Sequence, residues 1–474
     1  MGMPSAVHDD PEFQADLRLA EIEIEGELAA RVVPGLSASV VCGTDSVWQK
    51  GLGVTDLNRN TTARPDTVYA VGSITKLFTA TMLMQLRDAG KLKLDDPVQE
   101  YVPDAAIPHR HAGAPAITFR HLVTHTSGLA KDSPVGYWDS LQFPPIEAMM
   151  QKLAETEQPY PPGRQWKYSN LGIALLGHAL ARIAAQSWES YVHDHILAPL
   201  GMHDSAPRFS EKQRTSLAQG YARPVAGWPP APLAHQDLGG IGAAGSLHTT
   251  VADMAKFIAE QFADEPKLLR RATIEEMHRA QWVDDTWQWG QGIGWRVHRS
   301  ADGSTRIEHG GGVHGYTCRV LLSVPERIGI AVFTNGSDGN VAAAISERVL
   351  DRLVPTVRRI AARHAPAVAA APPEWQRYVG RYRWVLGDAE VLLRDGRLIL
   401  EVDNRGAVDT VVLQPEAAHV FRMPTGPQRG ETLRFIVDGS GLAGRAWVGP
   451  HPHDRIWVTA TKTDDDGRGN VDQT

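Results

Sequence analysis

The stretch Tyr69-Ala-Val-Gly-Ser73-Ile-Thr-Lys76-Leu-Phe-Thr-Ala80 places a hydroxyl and an amine three residues apart. The extended run Asp66-Thr-Val-Tyr-Ala-Val-Gly72 precedes the serine. An apolar periodic run through Met82 and Leu86 follows it and stops at Gly90, so Ser73 stands where a helix begins. Positions i and i+3 share a helix face, which points Ser73 and Lys76 the same way. A serine hydroxyl is inert at neutral pH until a neighbouring base takes its proton, and a lysine is such a base when burial or another cation lowers its pKa. Chance supplies so short a motif often. Its meaning rests on what the rest of the chain brings to it.

Outward from that stretch, the N-terminal segment from Pro11 to Arg31 carries Phe13, Leu17, Ala20, Ile24 and Leu28 near helical spacing, which predicts an amphipathic helix. The β-rich runs Leu36–Cys42 and Val47–Val54, joined by Gly43-Thr-Asp45, predict a hairpin. From Leu94 to Phe262 the pattern is mostly helical with Pro- and Gly-rich loops, including a helix capped by Asn170 and another from Val251. Strand signals return at 294–298, 305–309, 317–324 and 328–334, and a long helix from Asn340 to His364 follows. The pattern predicts an α/β fold in which early and late strands form one antiparallel sheet flanked by helices, with the helical region as a second lobe.

Ala365–Pro373 is a low-complexity linker of alanine and proline. Beyond it, short strand-like runs at regular intervals predict a small all-β barrel. The expected organisation is a domain of residues 1–364, a linker 365–373, a β domain 374–463 and a disordered acidic tail 464–474.

Composition excludes several functions. The net charge of −7 is mild for 474 residues and the basic residues are scattered, so neither nucleic acid nor an anionic membrane is an expected partner. Cys42 and Cys318 make no disulfide framework and read as reduced, strand-borne thiols. No run approaches the apolar length of a membrane span, and the N-terminal residues lack the basic start and apolar run of a secretory signal, which predicts a cytoplasmic protein. His109/His111, His193/His195 and His451/His453 have no third ligand at recognisable spacing, so no metal and no cofactor are expected. The absence of Gly-x-Ser-x-Gly argues against the other common serine-esterase fold.

Three further stretches give Ser73 partners. Tyr168-Ser-Asn170 supplies a phenol, which as phenolate beside an ammonium is a general base, and an amide that can bond both the lysine and a substrate carbonyl. His309-Gly310-Gly311-Gly312 ends a predicted strand in residues so small that substrate can lie on the backbone, where an exposed N–H can stabilise an oxyanion. Ala243-Ala-Gly-Ser246 is a small-residue turn leading into a helix. The tryptophans between Gln281 and Trp295, with Tyr137, Trp138 and Trp166, read partly as core and partly as the wall of an apolar pocket.

Ser73-Ile-Thr-Lys76, Tyr168-Ser-Asn170 and His309-Gly-Gly311, in this order, resemble the three signature motifs of the class C β-lactamase-like serine hydrolases. These include D-alanyl-D-alanine carboxypeptidases, D-aminopeptidases and esterases. The flanks Leu122–Leu129, Leu197–Met202 and Val324–Asn335 are similar too, so the resemblance covers about Leu36 to Asn335. It implies the β-lactamase-like transpeptidase fold, with Ser73 as the acylated nucleophile and Lys76 and Tyr168 sharing its proton as a coupled pair. It further implies that Asn170 and the His309–Gly312 run bind substrate, and that the N–H of Ser73 and a backbone N–H at or just after Gly311, with Gly312 the favoured one, form the oxyanion hole. The β module is similar to the lipocalin-like domain of some members, which implies that it borders the cleft or mediates homo-oligomerisation. Where β-lactamases carry Lys-Thr-Gly this chain has His309-Gly-Gly, which removes a permanent cation. The expected substrates are therefore small esters, amides or short D-residue peptides, with weak β-lactam hydrolysis; the competing expectation is a catalytically retired relative that binds a ligand or partner.

Overall fold

The computed structural model describes residues 6–137, 140–223, 225, 229–300, 303–364, 370–384, 387–404 and 407–456. Trp138, most of the 365–373 linker and the 464–474 tail lie outside the described residues. The chain divides into two compact units, Met1–Arg363 and His364–Thr474.

In the first unit a nine-stranded antiparallel sheet runs in the order Thr61–Thr62, Asp45–Asp56, Gly35–Cys42, Ile328–Thr334, Tyr316–Ser323, Thr305–Val313, Arg296–Arg299, Trp289–Gln291, Trp282–Val283. Early and late strands meet where Ser39 opposes Ala331. The central strands are buried at nearly every position because both faces are covered. Val320, Leu322, Ala331 and Phe333 join one core, while Leu321, Ile330 and Val332, one residue out of phase, join the other. The second core holds the helices Pro11–Arg31 and Val341–His364 through Phe13, Leu17, Ile24, Val349 and Leu353. The first holds the helices Thr75–Asp88, Asn170–Ala184 and Val251–Phe262, which carry the helical lobe.

Thr75–Asp88 is buried on nearly every face, so it is the central helix of that lobe rather than an amphipathic cover. It ends at Ala89, and Gly90 follows in the left-handed region at φ 71°. The strand expected at 294–298 begins only at Arg296. Gly294 is in the left-handed region at φ 79°, and a Cβ there would lie 2.7 Å from Ala80 Cβ, so the backbone turns where it meets the central helix.

The second unit is a nine-stranded antiparallel sheet whose two edge strands, Ala407–Val412 and Gln414–Ala417, are consecutive in the chain. The sheet therefore curls into a nearly closed barrel around Tyr382, Val391, Leu400, Phe421 and Phe435. No helix among the described residues is long and apolar enough to cross a membrane.

Candidate active site

Ser73 sits in a 3₁₀ turn, Gly72–Ile74, that leads into the central helix. The approach is pinned on both sides. Tyr69 and Ala70 pair with Thr249 and His248, and Val71 N–H donates to Leu247 O at 3.0 Å. Gly72 takes φ 51°, and a Cβ there would meet the backbone of Gly312 at 2.8–2.9 Å. Thr75 Oγ1 donates to Gly72 O at 2.6 Å and accepts from Leu247 N–H at 3.0 Å. These contacts fix the Ser73 hydroxyl at a helix N-terminus between the lobe and the sheet.

Lys76 lies one turn on, 2% exposed, and its Nζ donates to Ser73 Oγ at 3.0 Å, Asn170 Oδ1 at 3.0 Å and Ala244 O at 2.7 Å. Burial is the largest influence on its pKa and lowers it; Tyr168 and Asp132 oppose that shift. Tyr168 Oη lies 2.7 Å from Ser73 Oγ, and its ring centroid is 4.8 Å from Lys76 Nζ. The small-residue turn at Ala243–Ser246 earns its small residues here. Ala244 supplies a carbonyl to Lys76, Ala243 accepts from Thr79 Oγ1 at 2.6 Å, and a Cβ on Gly177 would press within 2.3 Å of the Ala243 methyl.

Asn170 is not the cap of its helix. Ser169 is, with its Oγ accepting from Gly172 N–H at 2.8 Å, so the Asn170 amide is left to face the site. Its Nδ2 donates to Asp132 Oδ1 at 2.9 Å, which turns its carbonyl oxygen toward Lys76. Asp132 has no motif of its own, and only the folded loop reveals it.

His309 is buried, and its Nδ1–H donates to Gly310 O at 2.7 Å. Burial first, then Lys76, push its pKa down to about 3, so the imidazole is neutral at pH 7. His125, held at φ 57° with its ring centroid 4.4 Å from that of Tyr168, is likewise kept neutral by burial. Gly310 and Gly312 face open space where a Cβ would stand, whereas a Cβ on Gly311 would lie 1.9 Å from Val71 O.

The cavity over Ser73, about 550 Å³, is lined by Lys131, Trp166, Tyr168, Gln291, Arg296, Glu308, His309, Gly310 and Arg319. It is charged, contrary to the apolar pocket expected from the tryptophans. Trp295 is instead core beside Phe257, Trp287 is 79% exposed, and among the described tryptophans only Trp166 lines the cavity. Trp166 and Trp289, in edge contact at 4.9 Å, support the Arg296 guanidinium at 5.5 and 5.1 Å from their ring centroids. No motif marks Arg296 in the sequence, because its partners are 130 residues upstream and on the adjoining strand. Among the described residues no group of three or more His, Cys, Asp and Glu side chains is placed to hold a metal ion.

A lysine and a phenol on one serine hydroxyl, set between a helical lobe and an antiparallel sheet, define the β-lactamase and transpeptidase class of fold. The chain belongs to the β-lactamase family, whose model matches residues 22–353. It is 32% identical to β-lactamase-like protein 2 of Dictyostelium discoideum over 56% of this chain and 50% of that protein. It is 30% identical to the D-alanyl-D-alanine-carboxypeptidase/endopeptidase AmpH of Escherichia coli over 54% of this chain and 64% of that one. The chain thus spans less than two thirds of either relative. Among solved structures, the octameric penicillin-binding protein homologue from Pyrococcus abyssi matches with a TM-score of 0.64 and 26% identity, over 92% of this chain and 99% of that one.

Proposed function

We propose that this protein is a serine hydrolase that works through an acyl-enzyme on Ser73. The convergence of Lys76 and Tyr168 on the Ser73 hydroxyl, at 3.0 and 2.7 Å, carries the reading. Ser73 Oγ attacks the scissile carbonyl carbon while its proton passes to the unprotonated member of the coupled Lys76–Tyr168 pair. Collapse of the tetrahedral intermediate expels an amine or alkoxide, which takes that proton. A water then repeats the sequence on the ester, restoring the serine and releasing the acid. The depressed pKa of Lys76 favours this exchange near neutral pH.

The N–H groups of Ser73 and Gly312 are the proposed oxyanion donors. Support for Gly312 comes from the register. The two-residue turn His314-Gly315 pairs Val313 with Tyr316, and in alternation Gly311 opposes Cys318 and His309 opposes Val320. Gly312 N–H then points to the other edge, where the neighbouring strand pairs no further than Glu308. There it faces the Ser73 turn, since Gly72 abuts the Gly312 backbone.

We propose small amides and esters as substrates, short D-residue peptides among them, with β-lactams as weak ones. The carboxypeptidase relative supports the peptide reading. His309 provides no cation, but Arg296 does. Its nearest carboxylate, Glu308, is 3.9 Å away, and its guanidinium makes no hydrogen bond to another described residue. A substrate carboxylate beside the scissile bond fits that guanidinium. The octameric neighbour supports a homo-oligomeric assembly.

The test is active-site labelling. A fluorophosphonate should modify Ser73 and no other residue by peptide mass spectrometry, and Ser73→Ala should abolish turnover of p-nitrophenyl butyrate, D-alanine p-nitroanilide and nitrocefin alike. Undiminished turnover in that variant overturns the reading.

A further inference from the structure

None of the residues in the flank Leu122–Leu129 lines the cavity over Ser73. In the fold this flank opens a brace. Residues 125–131 lie against the segment that presents Tyr168 and Asn170. Gly163 N–H donates to Thr126 O at 2.8 Å, Ser169 Oγ donates to Ala130 O at 2.7 Å, and the N–H groups of Asn170 and Leu171 donate to Lys131 O at 2.7 and 3.1 Å. A Cβ on Gly128 would lie 1.8 Å from Tyr160 O, so there backbone rests on backbone.

His125 makes the contacts of this brace that flank the phenol. Its carbonyl accepts from Lys167 N–H at 2.7 Å and its ring Nδ1 accepts from Ser169 N–H at 3.2 Å, so one residue holds the chain on either side of Tyr168. Its ring centroid lies 4.4 Å from that of Tyr168, nearer than the Trp166 ring at 6.2 Å, and its ring meets Trp166 nearly at right angles at 6.0 Å. An Nδ1 that accepts leaves the proton on Nε2, and a proton on Nδ1 would set two N–H groups against each other. The neutral state that burial imposes on His125 is the one this bond requires. The backbone there stands at φ 57°, which residues with a Cβ seldom adopt and glycine adopts freely. Such strain persists only where the surroundings over-determine it, and it gathers at active sites. Tyr168 Oη, 2.7 Å from Ser73 Oγ, is at the far end of its side chain, so a small tilt of the backbone at Lys167–Ser169 is magnified at the reacting oxygen.

We propose that His125 is a positioning residue for Tyr168: its carbonyl, its Nδ1 and its ring hold the phenol on the Ser73 hydroxyl, and it acts on the reaction only through that phenol. The proposal rests on the acyl-enzyme reading and adds to it a residue that lies outside the cavity.

The test is a double-mutant cycle on the full-length protein, read by the second-order rate at which a fluorophosphonate labels Ser73, which stays measurable in slow variants. His125→Gly and His125→Asn both accept the left-handed backbone and both lack the ring, but the Asn carboxamide oxygen replaces the Nδ1 acceptor. His125→Gly should slow labelling about a hundredfold, the consequence of a displacement of about 1 Å at a reacting centre. His125→Asn should recover at least about tenfold of that loss, the worth of one buried hydrogen bond. In the Tyr168→Phe background His125→Gly should slow labelling by less than about threefold, because the group it positions is gone. Thermal melts identify a glycine variant that does not fold, and the same cycle with His125→Asn then decides. A loss that carries over undiminished into the Tyr168→Phe background, or one that glycine and asparagine share equally, overturns the proposal. If Ser73→Ala abolishes turnover of p-nitrophenyl butyrate and the cycle is additive, the positioning role alone fails. If Ser73→Ala turns that ester over normally, the acyl-enzyme reading fails with it.

Discussion

Gly311 and Val71 touch so closely that a Cβ on Gly311 would stand 1.9 Å from the Val71 carbonyl oxygen. The contact locks the strand Thr305–Val313 onto the turn that presents Ser73. Backbone meets backbone there, so neither side can yield by changing a rotamer.

Gly311→Ala therefore has to push the strand away from the turn. Its expected effect is a loss of ester turnover of at least about a hundredfold, since a displacement of about 1 Å at a reacting centre has that consequence. Thermal melting should fall with it, as overpacking costs about 1–3 kcal/mol. Gly310→Ala is the control for melting, because a Cβ at Gly310 meets no protein atom within 4 Å. Equal melting temperatures and equal turnover for native protein and Gly311→Ala would refute the argument.

Arg296→Met keeps the stem over Trp166 and Trp289 and removes the charge. Among amides and esters matched in the scissile group, those with a neighbouring carboxylate should lose about tenfold or more in kcat/KM, while uncharged ones should change little. A uniform loss across both sets would assign Arg296 to the scaffold of the cavity instead.

Acid should unfold the first unit early. Burial holds His309 and His278 at about 3 and His248 at about 4, with His125 also well below the ordinary value of 6.5. The unfolded chain binds protons at these imidazoles below pH 6.5 and the folded chain does not, so unfolding free energy falls as pH falls through that window. Stability from this source is complete above pH 6.5 and is lost toward pH 3–4, by about 1.4 kcal/mol per pH unit for each imidazole. Glu260, whose pKa burial raises, works in the opposite direction as a single group. The urea midpoint measured at pH 7, 6 and 5 should decline steadily. A flat profile would contradict the burial of these rings.

Much of the scaffold was legible in the chain. The sheet strands announce themselves because both faces are covered, so the run 328–333 of the strand Ile328–Thr334 is apolar without a break. Ser73, Lys76, Tyr168 and Asn170 were legible as motifs because each pair lies within one turn or one helix entrance, where spacing fixes direction. Local reasoning failed at the helix entrance itself. Asn170 and Ser169 are both good caps, and which side chain turns back to the helix depends on Asp132, 38 residues away along the chain, drawing the Asn170 amide outward.

The sequence by itself determined the antiparallel sheet, the helical lobe and the few residues whose chemistry acts at short range. Tertiary structure decided the character of the site. The drop in the Lys76 pKa comes from burial under the lobe, and the neutrality of His309 comes from burial beside that lysine. The placing of Arg296 on two indoles comes from two strands and a distant loop that meet only in the folded chain. Desolvation and charge depend on what surrounds a group in three dimensions, and no spacing along the chain records that.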